Sequence, residues 1–436
     1  MSSRRWAWWS LFVVGCAADG KDTTTGASSG GDSTDSADTG PIDDDTAPCS
    51  AAQVCWDALE AEGLTGATFV CPASDGGSSS GDGTRDAPFD SMSAALLAGS
   101  GGTATIALGP GTYLENVALS DTEWTDVTLR GCGADESTGT VWSPLDPTIP
   151  SLEAKGTAVD LSAVVLSGGQ APLTIWDGAQ VLATELEVVD ADNEAIVIDG
   201  SSSGLTLSSA AIRGVSTVGL ADGGRGFGIV VHNGTASITD TVVEEASVVG
   251  VLVSGSYANV SLDSVEVRDT AVDPVDGTYG RGVMAQDGAI LTIRESLLEN
   301  NADAAIFGLG AAYVGVDSVQ IPSQLEGVLS GDDATPTGEG VVVSRGDAVG
   351  DPSFFLAEVE QTEVIDAPRV GILFADVTVT TLAGNTTTCD DSTECIQAQG
   401  ATDLSAAGVL DDVETRTVAL DLNTEALVPV LTASLE

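Results

Sequence analysis

From about residue 160 onward, apolar and polar residues alternate with a period of two in short runs, and each run breaks at an Asp-Gly, Asn-Gly or Ser-Gly pair. Residues 238–243 and 260–267 show the pattern clearly. Alternation punctuated by turn residues predicts β-strands with one buried face. The runs also recur. Gly228, Gly250 and Gly282 each open a Val-rich segment that passes through a turn into a second alternating run. The first two glycines are 22 residues apart and the next two 32, and removing an insertion of about ten residues over 273–281 restores the shorter period. A repeat of that length predicts a solenoid, in which each unit buries its apolar face only against its neighbours.

Ahead of the array the pattern changes. Residues 54–62 suit a helix, 68–70 a strand, 75–83 a Gly/Ser-rich loop, 91–97 a second helix and 103–108 a strand. Set among them are Gly83-Thr-Arg-Asp-Ala-Pro-Phe89, Gly109-Pro-Gly-Thr-Tyr-Leu-Glu115 and Val127-Thr-Leu-Arg-Gly131. This order of parts resembles the start of the pectin-lyase-like superfamily of right-handed parallel β-helices. The motifs carry the resemblance over 83–131, and the architecture carries it over about 67–400. It implies an all-β protein, a right-handed parallel β-helix with an N-terminal capping helix, which would cover strand edges and core left open at the end of the stack. The domains expected are a Cys-containing segment over 49–82, the β-helix over 83–400, and a last rung with a C-terminal cap over 401–436. About a dozen rungs at strand spacing would give a rod of roughly 55 Å.

Composition agrees with strands and turns. The 42% apolar content is mostly Val, Ala, Leu and Ile, with 4% aromatic residues and 52 glycines. Sixty-six acidic residues against 14 basic ones leave a net charge of -52, which repels nucleic acid and anionic lipid headgroups. Cations, neutral glycans and basic proteins remain as partners. Residues 1–15 read as an export signal, with Arg4 and Arg5 ahead of an apolar stretch too short to span a bilayer. The stretch ends at Val13-Val14-Gly15-Cys16, which resembles the bacterial lipobox. The resemblance implies acylation of Cys16, membrane attachment through that lipid anchor only and, with Ala17 next, an outer-membrane lipoprotein, periplasmic or surface-exposed. Residues 16–48 form an acidic Ser/Thr/Asp/Gly tether with one aliphatic residue, Ile42, too few to fold. Setting Cys16 aside leaves six cysteines for disulfides. Cys389 and Cys395 are the favoured local pair, with the others among Cys49, Cys55, Cys71 and Cys132.

Aligning the rungs on their turn glycines places Asp177, Asp199, His232, Ser254 and Gln286 in one outward ladder. The two aspartates would then lie about 5 Å apart on adjacent rungs. That spacing suits a retaining glycosidase or a calcium pair, although strand-end polar groups are ordinarily just solvated. Insertions over 221–228 and 276–282 each carry an arginine just before the ladder strand. Arg225 and Arg281, with Phe227 and Tyr279, are candidate sugar contacts: guanidinium pairs with carboxylate and a ring stacks on a pyranose. Ser254 and Gln286 would share that binding face. Asp190, Asp192 and Glu194 form an acidic run suited to Ca2+, with no cofactor required.

The catalytic inventory is thin. After the signal the chain keeps two lysines, ten arginines and one histidine. No set resembling the polygalacturonase motifs occurs, and no nucleophile elbow accompanies His232. Tyr113 and Glu115 resemble the first motif of pectin methylesterases, whose later motifs are missing, so both read as scaffold. The leading expectation is a non-catalytic envelope lipoprotein that binds polysaccharide or mediates adhesion. The alternatives are a polysaccharide lyase or glycoside hydrolase acting on acidic glycans, with Asp177, Asp199, His232, Arg225 and Arg281 as candidates, and a structural surface spacer.

Overall fold

The computed structural model describes residues 49–99, 101–217, 225–274, 277, 279–325, 338–346, 354–388, 394–405, 407 and 414–415. The expected signal, Cys16 and the tether lie outside them, as does Cys389.

From Gly204 to Gln399 each turn of the coil contributes three strands, whereas the turns before it run through long single strands such as Ala158–Ser167 and Gln180–Val189. Gly204–Ser208, Ala211–Val215 and Phe227–His232 make one turn, and Thr235–Thr239, Val242–Ala246 and Val249–Ser254 make the next. The first two strands of each turn stack in a 21-stranded sheet, and the third stacks in a 12-stranded sheet, here the front sheet. All named pairings are parallel and nearly all are in unbroken register, as in Leu205 beside Ala236, then Val260, then Leu291. That register defines a parallel β-helix.

The 21-stranded sheet bends sharply in every turn, and one residue makes the bend. Ser209, Asp240, Ser264, Glu295, Ser318 and Gln361 take φ between 46° and 57°, the left-handed region. Residues 260–267, a single alternating run in the sequence, are therefore two strands, Asn259–Asp263 and Glu266–Arg268, with Ser264 between them. The bend leaves a signature in the buried positions: Val260, Leu262, Val265 and Val267 are spaced two, three and two apart. Leu205, Leu207, Ala210 and Ile212 repeat it, as do Leu291, Ile293, Ser296 and Leu298. Where the position after the bend is polar, its hydroxyl serves the bend itself. Thr241, Ser296 and Thr362 donate to the carbonyls of Thr239, Arg294 and Glu360 at 2.7, 2.6 and 2.9 Å, so a buried hydroxyl is not left unpaired.

Two helices close the start of the coil. Helix α1, Ser50–Ala61, begins four residues before the predicted helix and packs Ala52, Trp56 and Leu59 inward. Disulfides Cys49–Cys71 and Cys55–Cys132 fasten it to the first rungs. Cys395 is disulfide-bonded as well. Helix α2, Met92–Ala98, is capped twice. Ser91 Oγ accepts from the Ala94 N–H at 3.2 Å, and the Glu115 carboxylate accepts from the Met92 and Ser93 N–H groups at 2.9 and 3.0 Å. Tyr113 donates to the carbonyls of Gly109 and Val70 at 2.9 and 3.1 Å. The Gly-Thr-Tyr-x-Glu motif thus ties the capping helix to the first coil.

Candidate functional site

The front sheet turns one set of side chains into the core and the other outward. Ile196, Ile198, Ile229, Val231, Val251 and Val253 belong to the core. Between and beyond them, outward columns run from rung to rung. One column pairs Ser120 with Lys155 and Lys155 with Trp176, then Asp199 with His232, Ser254 and Gln286 in succession. Because Ile198 stands beside Ile175, the residue level with Asp199 is Trp176. The proposed ladder therefore changes at its first member. Asp177 is the turn residue after the column, with φ 50°. The cause is turn length: Gln180 stands beside Gly204, so the turn after Trp176 is one residue shorter than the turn after Asp199. Aligning on turn glycines assumes equal turns, and here that assumption displaces one aspartate.

The outward surface is open around Trp176. Lys155 Nζ lies 4.2 Å from the ring centroid of Trp176 and 3.3 Å from Asp177 Oδ2. Glu153 stands two positions along the strand Leu152–Lys155. Burial pushes its carboxyl above the ordinary carboxylate range, against smaller pulls from the Trp176 indole and Lys155. The indole Nε1 is buried without a well-formed hydrogen bond. Burial also raises the Asp199 carboxyl, with His232 opposing and Asp177 adding a smaller push. His232 Nε2 is 2.9 Å from Asn233 Nδ2, while Nδ1 is buried without a partner.

Beside these groups is a cavity of about 310 Å³, lined by Trp176, Glu153, Ile149, Pro150, Ala118 and neighbouring backbone. Its wall is built by Asn116. That side chain accepts from the Asp146 N–H at 2.8 Å and donates to the Ile149 and Pro150 carbonyls at 3.2 and 2.9 Å, holding the 146–150 loop over the sheet. A second cavity of about 540 Å³ shares Asn116, Val117 and Ala118 and reaches helix α2 at Leu96 and Leu97. The cavity beside Trp176 is the candidate groove, and those three residues border both cavities.

Further along, the outward face is closed. Val230, Leu252, Met284, Phe307, Val342 and Leu373 lie in one register column and are buried in a cluster separate from the core. The arginine loops end here, and of the expected sugar contacts Phe227, Ser254, Arg281 and Gln286 are buried while Arg225 and Tyr279 are half-buried. Arg281 is 0% exposed, with Nε 2.7 Å from Asp303 Oδ2 and its guanidinium 3.6 Å from the Phe307 ring centroid. Tyr279 packs against the same guanidinium at 5.2 Å, and Phe227 is buried. Arg225 pairs with the buried Glu194 at 3.2 Å. Ser254 and Gln286 are buried and joined at 3.2 Å. Arg281 meets the Tyr279 ring, and Arg225 and Arg281 each pair with a carboxylate of the chain itself.

Glu194 of the acidic run pairs with Arg225. Among the described residues no group of three or more His, Cys, Asp or Glu is arranged to hold an ion. No sequence motif singles out Glu153, Lys155 or Trp176. The available signal was a tryptophan at an outward strand position in a chain with 4% aromatic residues.

Fold and groove together define a parallel β-helix with an open polar and aromatic face near its N-terminal end. No family model matches the chain, and no curated protein matches it. Among solved structures it is similar to the pectate lyase Pel9A, at 13% identity over 82% of this chain and 80% of that one, with a TM-score of 0.34. It is also similar to the A-module of the Azotobacter vinelandii mannuronan C-5 epimerase AlgE4, at 15% identity over 75% and 94%, TM-score 0.41. A rhamnogalacturonan lyase matches at 12% identity over 81% and 87%, TM-score 0.27. These likenesses concern architecture alone.

Proposed function

We propose that this protein is a lipid-anchored envelope protein that binds polysaccharide, without catalysis, in the groove beside Trp176. One observation carries the reading: an outward tryptophan lines an open cavity together with a desolvated carboxyl and apolar loop residues. A pyranose offers an apolar C–H face to such a ring and hydroxyls to such a carboxyl. A glycan array probed with the full chain and with Trp176→Ala tests it. The expected result is a set of hits that the variant loses, with its melting temperature unchanged. An array without hits, or hits kept by the variant, would overturn it.

A second reading has one observation in its favour. Glu153 and Asp199 are both carboxyls raised by burial near the same ring, and raised carboxyls suit general acid work in a glycoside hydrolase. Release of reducing sugar that Glu153→Gln or Asp199→Asn abolishes would replace the binding reading with this one.

A further inference from the structure

The charges along the front sheet limit what the groove accepts. Among the described residues each cation near its outward face already meets a carboxylate of the chain: Lys155 meets Asp177, Arg225 meets Glu194, Arg281 meets Asp303, Arg345 meets Asp376 and Arg369 meets Glu339, at 3.3, 3.2, 2.7, 3.9 and 2.9 Å. Glu153 lines the cavity beside Trp176 and Glu123 the adjoining one, Lys155 and Asp177 meet beside the Trp176 ring, and Asp199 and His232 stand level with Trp176 on the rungs that follow. With Lys155 neutralised by Asp177, the surplus is negative. A uronate entering here would face carboxylates and no uncommitted positive partner in this set.

We propose that the bound glycan carries free amines, as in a polymer of hexosamine units without acetyl groups. The inference rests on the glycan-binding reading and narrows its ligand class. A protonated amine forms a charge-assisted hydrogen bond with a carboxylate, stronger in a partly desolvated groove than in water. The sugar ring meanwhile uses Trp176 and the apolar wall of Ile149 and Pro150. Burial has already placed Glu153 and Asp199 at a cost to their charged forms, and a bound ammonium relieves that cost.

Titration calorimetry of the full chain with three oligosaccharides of equal length tests it: glucosamine oligomers, their N-acetylated forms and oligogalacturonate. The glucosamine oligomers should bind about tenfold or more tightly than the acetylated ones, and oligogalacturonate should not bind. Glu153→Gln and Asp199→Asn should each weaken the amine oligomer several-fold and the acetylated one less, so that the preference for the amine narrows. Lowering the pH through the raised range of these two carboxyls should have the same effect. A chain of charge -52 attracts any polycation, so site binding must also depend on Trp176. If Trp176→Ala binds the amine oligomer as well as wild type, the proposal fails as general charge attraction. If acetylated or acidic oligomers bind equally well and depend on Trp176, the amine inference fails and glycan binding stands. If none of the three binds, this inference fails here, and an array without hits would take the broader reading with it.

Discussion

Glu115 shows how much of this fold hangs on single side chains. Its carboxylate accepts from two N–H groups and the Ser93 hydroxyl at the start of helix α2, where no acidic residue of the helix itself does so. Glu115→Ala should cost about 1–2 kcal/mol, the range for a lost helix cap. Denaturant unfolding checks this, and an unchanged midpoint would mean that Ser91 suffices. A second carboxyl sets a pH dependence. Burial, with a further push from Asp303 against the pull of Arg369, raises Glu339 from 4.5 to about 7. A raised carboxyl stabilises the fold through its proton. That contribution is complete below about pH 4.5 and is lost as the pH rises to about 7. The melting temperature of wild type relative to Glu339→Gln should fall across that window and level off above it; a constant difference would contradict the assignment. At this scale the sequence was legible where a motif had a local job, as with Tyr113 and Glu115. It was opaque at Trp176, because turns of unequal length hide which residue shares a column with Asp199.

At the scale of the element, the recurring bend is the informative part. Alternation announces strands but is silent about a bend of one residue, and only the two-three-two spacing of buried positions reports it. Runs such as 260–267 therefore look like one strand until that spacing is read. Ser264 holds φ 56°, a region that costs a residue with a Cβ roughly 1 kcal/mol. Ser264→Gly should be neutral or stabilising by up to about 1 kcal/mol, whereas the β-branched Ser264→Val should destabilise by at least that much. A midpoint order of Val above Ser would show that the bend lies elsewhere. The loops before the front strands carried the opposite lesson. An arginine beside an aromatic ring reads equally well as a ligand contact or as half of a buried ion pair. Asp303, distant in sequence, makes Arg281 half of a buried ion pair.

At the scale of the described coil, two disulfides fasten its start. Cys55–Cys132 closes 77 residues, a loop whose entropy is worth about 4–5 kcal/mol in the chain-entropy model. Reduction should accordingly lower the melting temperature, and an unchanged value would mean that the first rungs hold without the staple. The repeat in the sequence foretold the coil, since a period of 22 residues has few other physical outcomes. The anchor is a separate expectation: Cys16→Ser should abolish incorporation of a labelled fatty acid and release the protein from membranes. Persistence of both would remove the lipoprotein reading while leaving the groove untouched.

Hydrogen exchange with and without glucosamine oligomers tests the central claim, that the open groove and not the closed face receives the ligand. Protection should appear in Val117–Ser120, Leu152–Lys155, Leu173–Trp176 and the 146–150 loop, and should vanish in Trp176→Ala. Protection centred on Val249–Ser254 and Arg281–Gln286, or none at all, would contradict it.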